Sequence, residues 1–317
     1  MTKTEQVEDG AKVHLSGYQR RDIEVVDYRM GELAGTGLWF RDGADPLPEG
    51  GYFSCLGAAQ TFGCLSESPY PSLVARRLNL PVRNLGYGGA GPEFFLRQSQ
   101  LHPLINRGRF AIIQVMSGRS QSNSLFAADG LEFLTRRADG RRIGGNAAYA
   151  EVLAGPQVLQ RAGRAGRVVA RMLARPRVRR LVAETRDAWV ESYRGLVSKL
   201  SCPTVLLWFS TRSPDYHEDP RSVRGLFGEF PQLVTRAMVR EVASLCTGYA
   251  ECTTVRGSPQ PLVSRFTGEP VSIDPVRDRP DLGGGTLWTH NRYYPSPEMH
   301  EDAAAAILHI LATRQIK

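Results

Sequence analysis

Tyr52-Phe53-Ser54-Cys55-Leu56-Gly57-Ala58-Ala59-Gln60-Thr61-Phe62-Gly63 is the stretch on which the fold turns. A short β-rich apolar run stops at a small-residue turn, the pattern of a buried strand and the loop at its carboxyl end. On the C-terminal side, Pro71 to Leu80 places Leu73, Val74, Leu78 and Leu80 at helical spacing. Pro81-Val82-Arg83-Asn84-Leu85 reads as a second strand, closed by Gly86-Tyr87-Gly88-Gly89-Ala90-Gly91-Pro92, and 93–106 as a second helical stretch. Phe110 to Met116 is a third strand that stops at Ser117-Gly118-Arg119-Ser120-Gln121-Ser122-Asn123. After a long middle piece, Pro203 to Ser210 is a fourth strand, followed by a polar loop, a helix from about Pro231 to Cys246, a fifth strand from Ala250 to Val255 and a terminal helix from Glu298 to Arg314. Strands alternating with helices predict a three-layer α/β/α domain with a mainly parallel sheet. Its ligands belong at the carboxyl ends of the strands, near the point where strand order reverses.

With 317 residues, 42% of them hydrophobic, the chain has enough apolar material for one large domain or two ordinary ones without staples. The expected division is an arm over 1–48 and an α/β domain over 49–317, interrupted at about 125–200 by a basic helical insertion. Lys and Arg exceed Asp and Glu by 40 to 32, a formal +8 that favours an anionic partner. Much of that charge is local. Arg161, Arg164, Arg167, Arg171 and Arg175 step by three or four, and Arg177, Arg179, Arg180 and Arg186 follow. Such a row is a solvated face, an anion-facing lid or a nucleic-acid helix; no RNP, zinc-finger or aromatic-interleaved signature supports the last, so no nucleic acid is expected. Five cysteines (55, 64, 202, 246, 252) form no CxxC or CxxH spacing, so neither metal nor a disulfide framework is expected. The N-terminus, MTKTEQVEDGAKVHL, lacks the apolar run of a signal peptide or membrane span. The combined expectation is a reduced, cytoplasmic protein.

Four features in sequence order resemble the SGNH or GDSL hydrolase-like proteins: a first strand ending in Gly57-x-x-x-Thr61, a glycine-bearing loop after Asn84-Leu85-Gly86, a third strand ending in a small polar loop, and Pro295-Ser296-Pro297-Glu298-Met299-His300 before an Ala-rich helix. The resemblance covers about 120 residues and implies a flavodoxin-like parallel sheet. It also implies where a catalytic triad would sit. The family's nucleophilic Ser falls on Ala59, its closing Asp-x-x-His on Asn291-Arg292-Tyr293-Tyr294, and its oxyanion Asn near Arg119. Nucleophile, base and orienting carboxylate are each replaced, so ordinary triad chemistry is not available.

The loops present donors instead: Gln60 and Thr61; glycine amides around Gly89; Ser117, Arg119, Ser120, Ser122 and Asn123; and His217, Arg221 and Ser222. Backbone N–H groups, hydroxyls and guanidinium forks suit phosphate-like oxyanions. Ser117-Gly118-Arg119-Ser120 is similar to the 5′-phosphosulfate loop of PAPS-dependent sulfotransferases, and Asp219-Pro220-Arg221-Ser222-Val223 to their 3′-phosphate region. Equally, the Ser and Asn of the first loop serve as helix caps and turn formers. On the sulfotransferase reading, PAPS is the donor and PAP its product, a small metabolite or sugar hydroxyl is the acceptor, and His217 is the general base. Tyr294 or His300 assists the transfer. The alternatives are an SGNH-type acyl hydrolase or acyltransferase with a rearranged site, and a catalytically inactive glycan-binding module.

Overall fold

The structure, a computed structural model, describes residues 17–43, 46–275 and 286–316. Part of the expected arm (1–16 and 44–45), including the whole segment read for a signal peptide, lies outside these residues. The chain starts with helix α1 (Gly17–Asp22) and a hairpin of β1 (Met30–Leu33) and β2 (Leu38–Arg41). The decisive stretch then forms strand β3 (Phe53–Gly57) and a single helical turn, α2 (Ala59–Phe62). Helix α3 (Tyr70–Leu78), strand β4 (Val82–Gly86), the short helices α4 (Pro92–Arg97) and α5 (Leu101–Asn106), and strand β5 (Ala111–Gln114) follow.

The middle region is not purely helical. It opens with an antiparallel three-stranded sheet of β6 (Phe126–Ala128), β7 (Phe133–Arg136) and β8 (Arg142–Gly144), then continues into α6 (Gly145–Ala154), α7 (Gln157–Gln160) and the 36-residue α8 (Gly163–Ser198). Strand β9 (Thr204–Ser210), α9 (Val223–Phe227), α10 (Arg236–Ala243), β10 (Gly248–Thr253), the bridge pair β11 (Gln260–Pro261) and β12 (His290–Asn291), and α11 (Pro297–Thr313) complete the chain.

The central sheet has the order β10-β9-β5-β3-β4, with every pairing parallel. Counting only its strands, this is the flavodoxin-like order 2-1-3-4-5, and the reversal falls between β3 and β5. Side-chain alternation builds the three layers. Leu56, Ile113, Leu206 and Trp208 face one core with Trp189, Tyr193 and Leu196 of α8. Cys55, Ile112, Leu207 and Phe209 face the other with Tyr70 and Val74 of α3 and Ile307 of α11. The second half of α8 is therefore a regular covering helix between β5 and β9, while its first half rests on α6 and α7. Among the described residues no helix is long and apolar enough to cross a membrane.

Candidate functional site

At the reversal point, the loops leaving β3 and β5 are held by internal bonds before any ligand is considered. Gln114 Oε1 accepts from the Ala58 N–H (3.0 Å) and from Thr61 Oγ1 (2.7 Å), and Thr61 lies 2.9 Å from the Tyr70 hydroxyl. Glycine at 57 follows from this crowding: a Cβ there would lie 2.0 Å from Thr61 Oγ1. Arg41, buried at the end of β2, donates to the carbonyl oxygens of Phe62, Gly63, Ser66 and Glu67 and so pins the chain after α2. From the opposite side α8 grips the loop after β5. Trp189 Nε1 donates to Met116 O (2.9 Å), the Met116 N–H donates to the Tyr193 hydroxyl (2.8 Å), and Ser192 Oγ donates to Gln121 Oε1 (2.9 Å).

Between these loops lies a cleft of about 240 Å3. Its floor is Ala58, Ala59 and Gln60, with Gly89 and Ala90 from the loop after β4 and Ser117, Arg119 and Ser120 from the loop after β5. Tyr293 and Tyr294 form one wall, and Phe230 and Gln232 another. Gln60, Phe230, Gln232, Tyr293 and Tyr294 also line an adjoining recess of about 80 Å3, so the cleft continues past them. Tyr18 and Arg21 of α1 close it, and Glu132 sits at its edge. Gly89 has φ +79, a left-handed conformation that glycine adopts without strain and that lets the loop reach the cleft.

The electrostatics of the cleft centre on Arg21. Burial works against its charge, but its bonds to Asp22 (2.5 and 2.7 Å) outweigh this and hold the guanidinium firmly protonated. Asp22 also accepts from the Tyr28 hydroxyl at 2.5 Å. Arg21 Nη1 donates to the Tyr294 hydroxyl (3.3 Å) and lies over the rings of Tyr18 and Tyr294. Burial raises the Tyr18 and Tyr294 phenols above their ordinary range, so both are neutral donors at pH 7. Arg119 Nη1 donates to Asn146 Oδ1 (3.2 Å), and Ser117 Oγ accepts from the Arg119 N–H (3.1 Å). Gln60 Oε1 and Gln232 Oε1 are buried without a hydrogen-bond partner among the described residues.

Of the residues expected from sequence, Gln60, Gly89, Ser117, Arg119, Ser120 and Tyr294 line the cleft. The others are placed elsewhere or are engaged in the fold. Thr61 is consumed by Gln114 and Tyr70. Ser122 Oγ accepts from the Ala128 N–H, while Asn123 accepts from the Leu125 and Phe126 N–H groups and donates to Thr185, so both brace the turn. His217 is exposed in the loop before α9 and does not line the cleft. Ser222 caps α9 by accepting from the Gly225 N–H. Arg221 is paired with Asp219 (2.9 Å), and both Arg221 and Ser222 line a different groove beside α8. His300 is fully buried between Tyr70 and Phe209; its Nδ1 accepts from the Tyr70 N–H (3.2 Å), and burial pushes its pKa down to about 3. It is a neutral core residue with no access to the cleft.

Tyr18, Arg21, Glu132, Phe230, Gln232 and Tyr293 were not assigned as site residues from the sequence. Only Tyr293 carried a local signal, as the neighbour of Tyr294. Asn291, at the position of the family's Asp, accepts from the Tyr293 and Tyr294 N–H groups (3.1 and 2.9 Å) and donates to Tyr294 O. It shapes the turn that presents the two tyrosines. Cys64 lies in the core beneath the cleft, its thiol pushed up by burial. Among the described residues no histidine lines the cleft, and no group of three His, Cys, Asp or Glu is placed to hold a metal ion.

Fold and site together define an α/β/α protein with a parallel sheet of flavodoxin-like order, a cleft at the point where that order reverses, and alanine at position 59 on the cleft floor. The chain belongs to the family described as Domain of unknown function (DUF6473), which it matches over residues 17–130 and 169–270. No curated protein matches its sequence. Similar solved structures include a carbohydrate esterase family 2 enzyme with a carbohydrate binding domain from Corynascus thermopiles (Myceliophthora fergusii), at 12% identity and TM-score 0.41, covering 88% of this chain and 71% of that one. A family two carbohydrate esterase from Clostridium thermocellum, solved with cellohexaose, matches at 10% identity and TM-score 0.40, covering 86% and 66%. An acetyl xylan esterase from Butyrivibrio proteoclasticus matches at 10% identity and TM-score 0.41, covering 87% and 68%. The sulfotransferase reading is corrected by the geometry: the residues assigned to the nucleotide donor do not converge, since Arg221 and Ser222 lie outside the cleft that holds Arg119 and Ser120.

Proposed function

We propose that the cleft binds a hydroxyl-rich ligand of about one sugar ring, non-covalently, on a hydrolase-type scaffold that has given up triad chemistry. The observation that carries this reading is the mixed lining of the cleft, in which Gln60, Ser117, Arg119, Ser120 and Gln232 stand together with Tyr18, Phe230, Tyr293 and Tyr294. Side-chain amides, hydroxyls and a guanidinium beside aromatic rings suit a ligand that presents several hydroxyls on an apolar ring. The aromatic walls of Tyr18, Phe230, Tyr293 and Tyr294 offer flat apolar faces to a ring's C–H surface. A volume of about 240 Å3 falls below the ~300 Å3 at which pockets for drug-sized molecules begin, which suits a single ring with its chain continuing into the recess. Arg119 favours a ligand that also carries a carboxylate or ester carbonyl.

Acyl transfer through Ser117 or Ser120 is disfavoured because, among the described residues, no histidine lines the cleft to serve either one as base. Five unpaired cysteines are the support for a reducing, cytoplasmic setting. Calorimetric titration with glucose, xylose and glucuronic acid tests the reading. The acidic sugar is expected to bind most tightly, with affinity falling roughly tenfold in Arg119→Gln, the loss of one charge-assisted hydrogen bond. Absence of binding by every sugar overturns the reading, as does labelling by a fluorophosphonate probe that Ser120→Ala abolishes.

A further inference from the structure

The outer half of α8, residues 163–180, carries chemistry that the cleft does not use. Its inner face is small and tightly seated: Ala170, Ala174 and Val178 are buried, and a Cβ on Gly155 would meet Ala170 O at 2.2 Å. Its remaining surface is divided lengthwise. Val169, Met172, Leu173 and Pro176 recur at i, i+3, i+4 and i+7, with Val169, Met172 and Leu173 exposed by 46%, 56% and 61%. On the other flank Arg164, Arg167, Arg171 and Arg175 form an exposed row. From 157 to 180 the sequence holds eight arginines and no Asp or Glu. Among the described residues, none of the four arginines of that row is paired with a carboxylate.

The row also borders a groove of about 440 Å3 in which Arg171, Arg175 and Arg221 stand beside Val168, Met172, Leu153 and Val223. Guanidinium groups next to apolar side chains match a phosphate headgroup above the start of its acyl chains.

We propose that this half-helix lies on an anionic lipid surface, with the Val169–Met172–Leu173–Pro176 stripe at the headgroup–acyl boundary and the arginine row on the lipid phosphates. Charge complementarity selects this occupant. A basic helix with an apolar flank is the signature of interfacial binding. A nucleic acid satisfies the arginines but leaves the Val, Met and Leu side chains without a purpose. A second copy docked through the same face sets two uncompensated arginine rows against each other.

The test is co-flotation of the full chain with vesicles of phosphatidylcholine alone and of phosphatidylcholine mixed with phosphatidylglycerol. Binding is expected only to the mixed vesicles, falling with added salt. Arg167→Gln with Arg171→Gln is expected to lower partitioning roughly tenfold or more. Met172→Asp with Leu173→Asp is expected to abolish it, with the melting temperature unchanged because both side chains are exposed. The inference is overturned if the wild type fails to float, if it floats equally with both vesicle types, or if the aspartate variant floats like the wild type. It is equally overturned if light scattering shows a dimer that the aspartate variant dissolves, or if the chain binds duplex DNA with an affinity that the aspartate variant retains.

Discussion

Arg21 and Arg171 carry the same side chain in opposite surroundings. In the cleft, Arg21 is almost wholly covered, bonded to Asp22 and Tyr294 and stacked on two tyrosines. On the outer half of α8, Arg171 projects into solvent among other arginines and exposed apolar side chains. Burial makes the first arginine part of the fold, because a charge removed from water must be matched where it lies. Exposure leaves the second free of any structural duty, so its charge is available to something outside the chain. A net charge of +8 conceals this difference.

The comparison breaks most visibly at Arg21. Replacing it with Met leaves Asp22, which is fully buried, without its cation and is expected to cost about 3–5 kcal/mol of unfolding free energy. Adding Asp22→Asn to that variant is expected to recover part of the loss. Urea denaturation measures both, and a loss below about 1 kcal/mol would show that the pair is not structurally coupled.

A smaller effect is expected at His300, a buried residue that the sequence suggested as catalytic. In the unfolded chain His300 takes up a proton near pH 6.5, but in the fold only near pH 3. Between those values the unfolded state binds more protons. The stability His300 contributes is therefore complete above about pH 6.5 and declines as pH falls toward 3. At pH 5 the decline amounts to roughly 2 kcal/mol. His300→Gln is expected to flatten the pH 7 to pH 5 slope of stability by about that amount, and an unchanged slope would refute the assignment.

The smallest effect belongs to α8. Arg171→Gln and Leu173→Ala are each expected to shift stability by no more than ~0.5 kcal/mol. A larger change in thermal unfolding would mean that these residues pack in solution against something in the chain itself.

Much of the fold was legible because the central strands are buried on both faces. The apolar runs at Phe53, Val82, Ala111 and Thr204 stand out for that reason, and only their ends differ from the sequence reading by a residue or two. The β1–β2 hairpin and the β6–β8 sheet were not legible. Their strands are three or four residues long and mix Gly, Arg and Glu with apolar residues, so each offers too few positions for an alternating pattern to register. The helical stretch 93–106 appears as two short helices, separated at Gln98–Gln100. Part of the cleft was legible too, since loops at the carboxyl ends of parallel strands are where such folds open. What local pattern did not distinguish is a polar side chain that faces the cleft from one that faces its own backbone. Ser120 does the first, Ser122 and Asn123, two or three residues on, do the second, and Ser117 lines the cleft while accepting from the Arg119 N–H.

By itself the sequence determined the α/β alternation, the unreactive Ala59 at the end of the first sheet strand, and the charge and periodicity of α8, because each depends on residue type and short-range spacing. Only the tertiary structure decided that α1 carries Tyr18 and Arg21 to the cleft, that Phe230 and Gln232 complete its wall, and that His300 is sealed in the core. These depend on contacts across as many as 273 positions in the chain, as between Arg21 and Tyr294. No local pattern encodes them, since what brings such residues together is the packing of whole elements on the sheet.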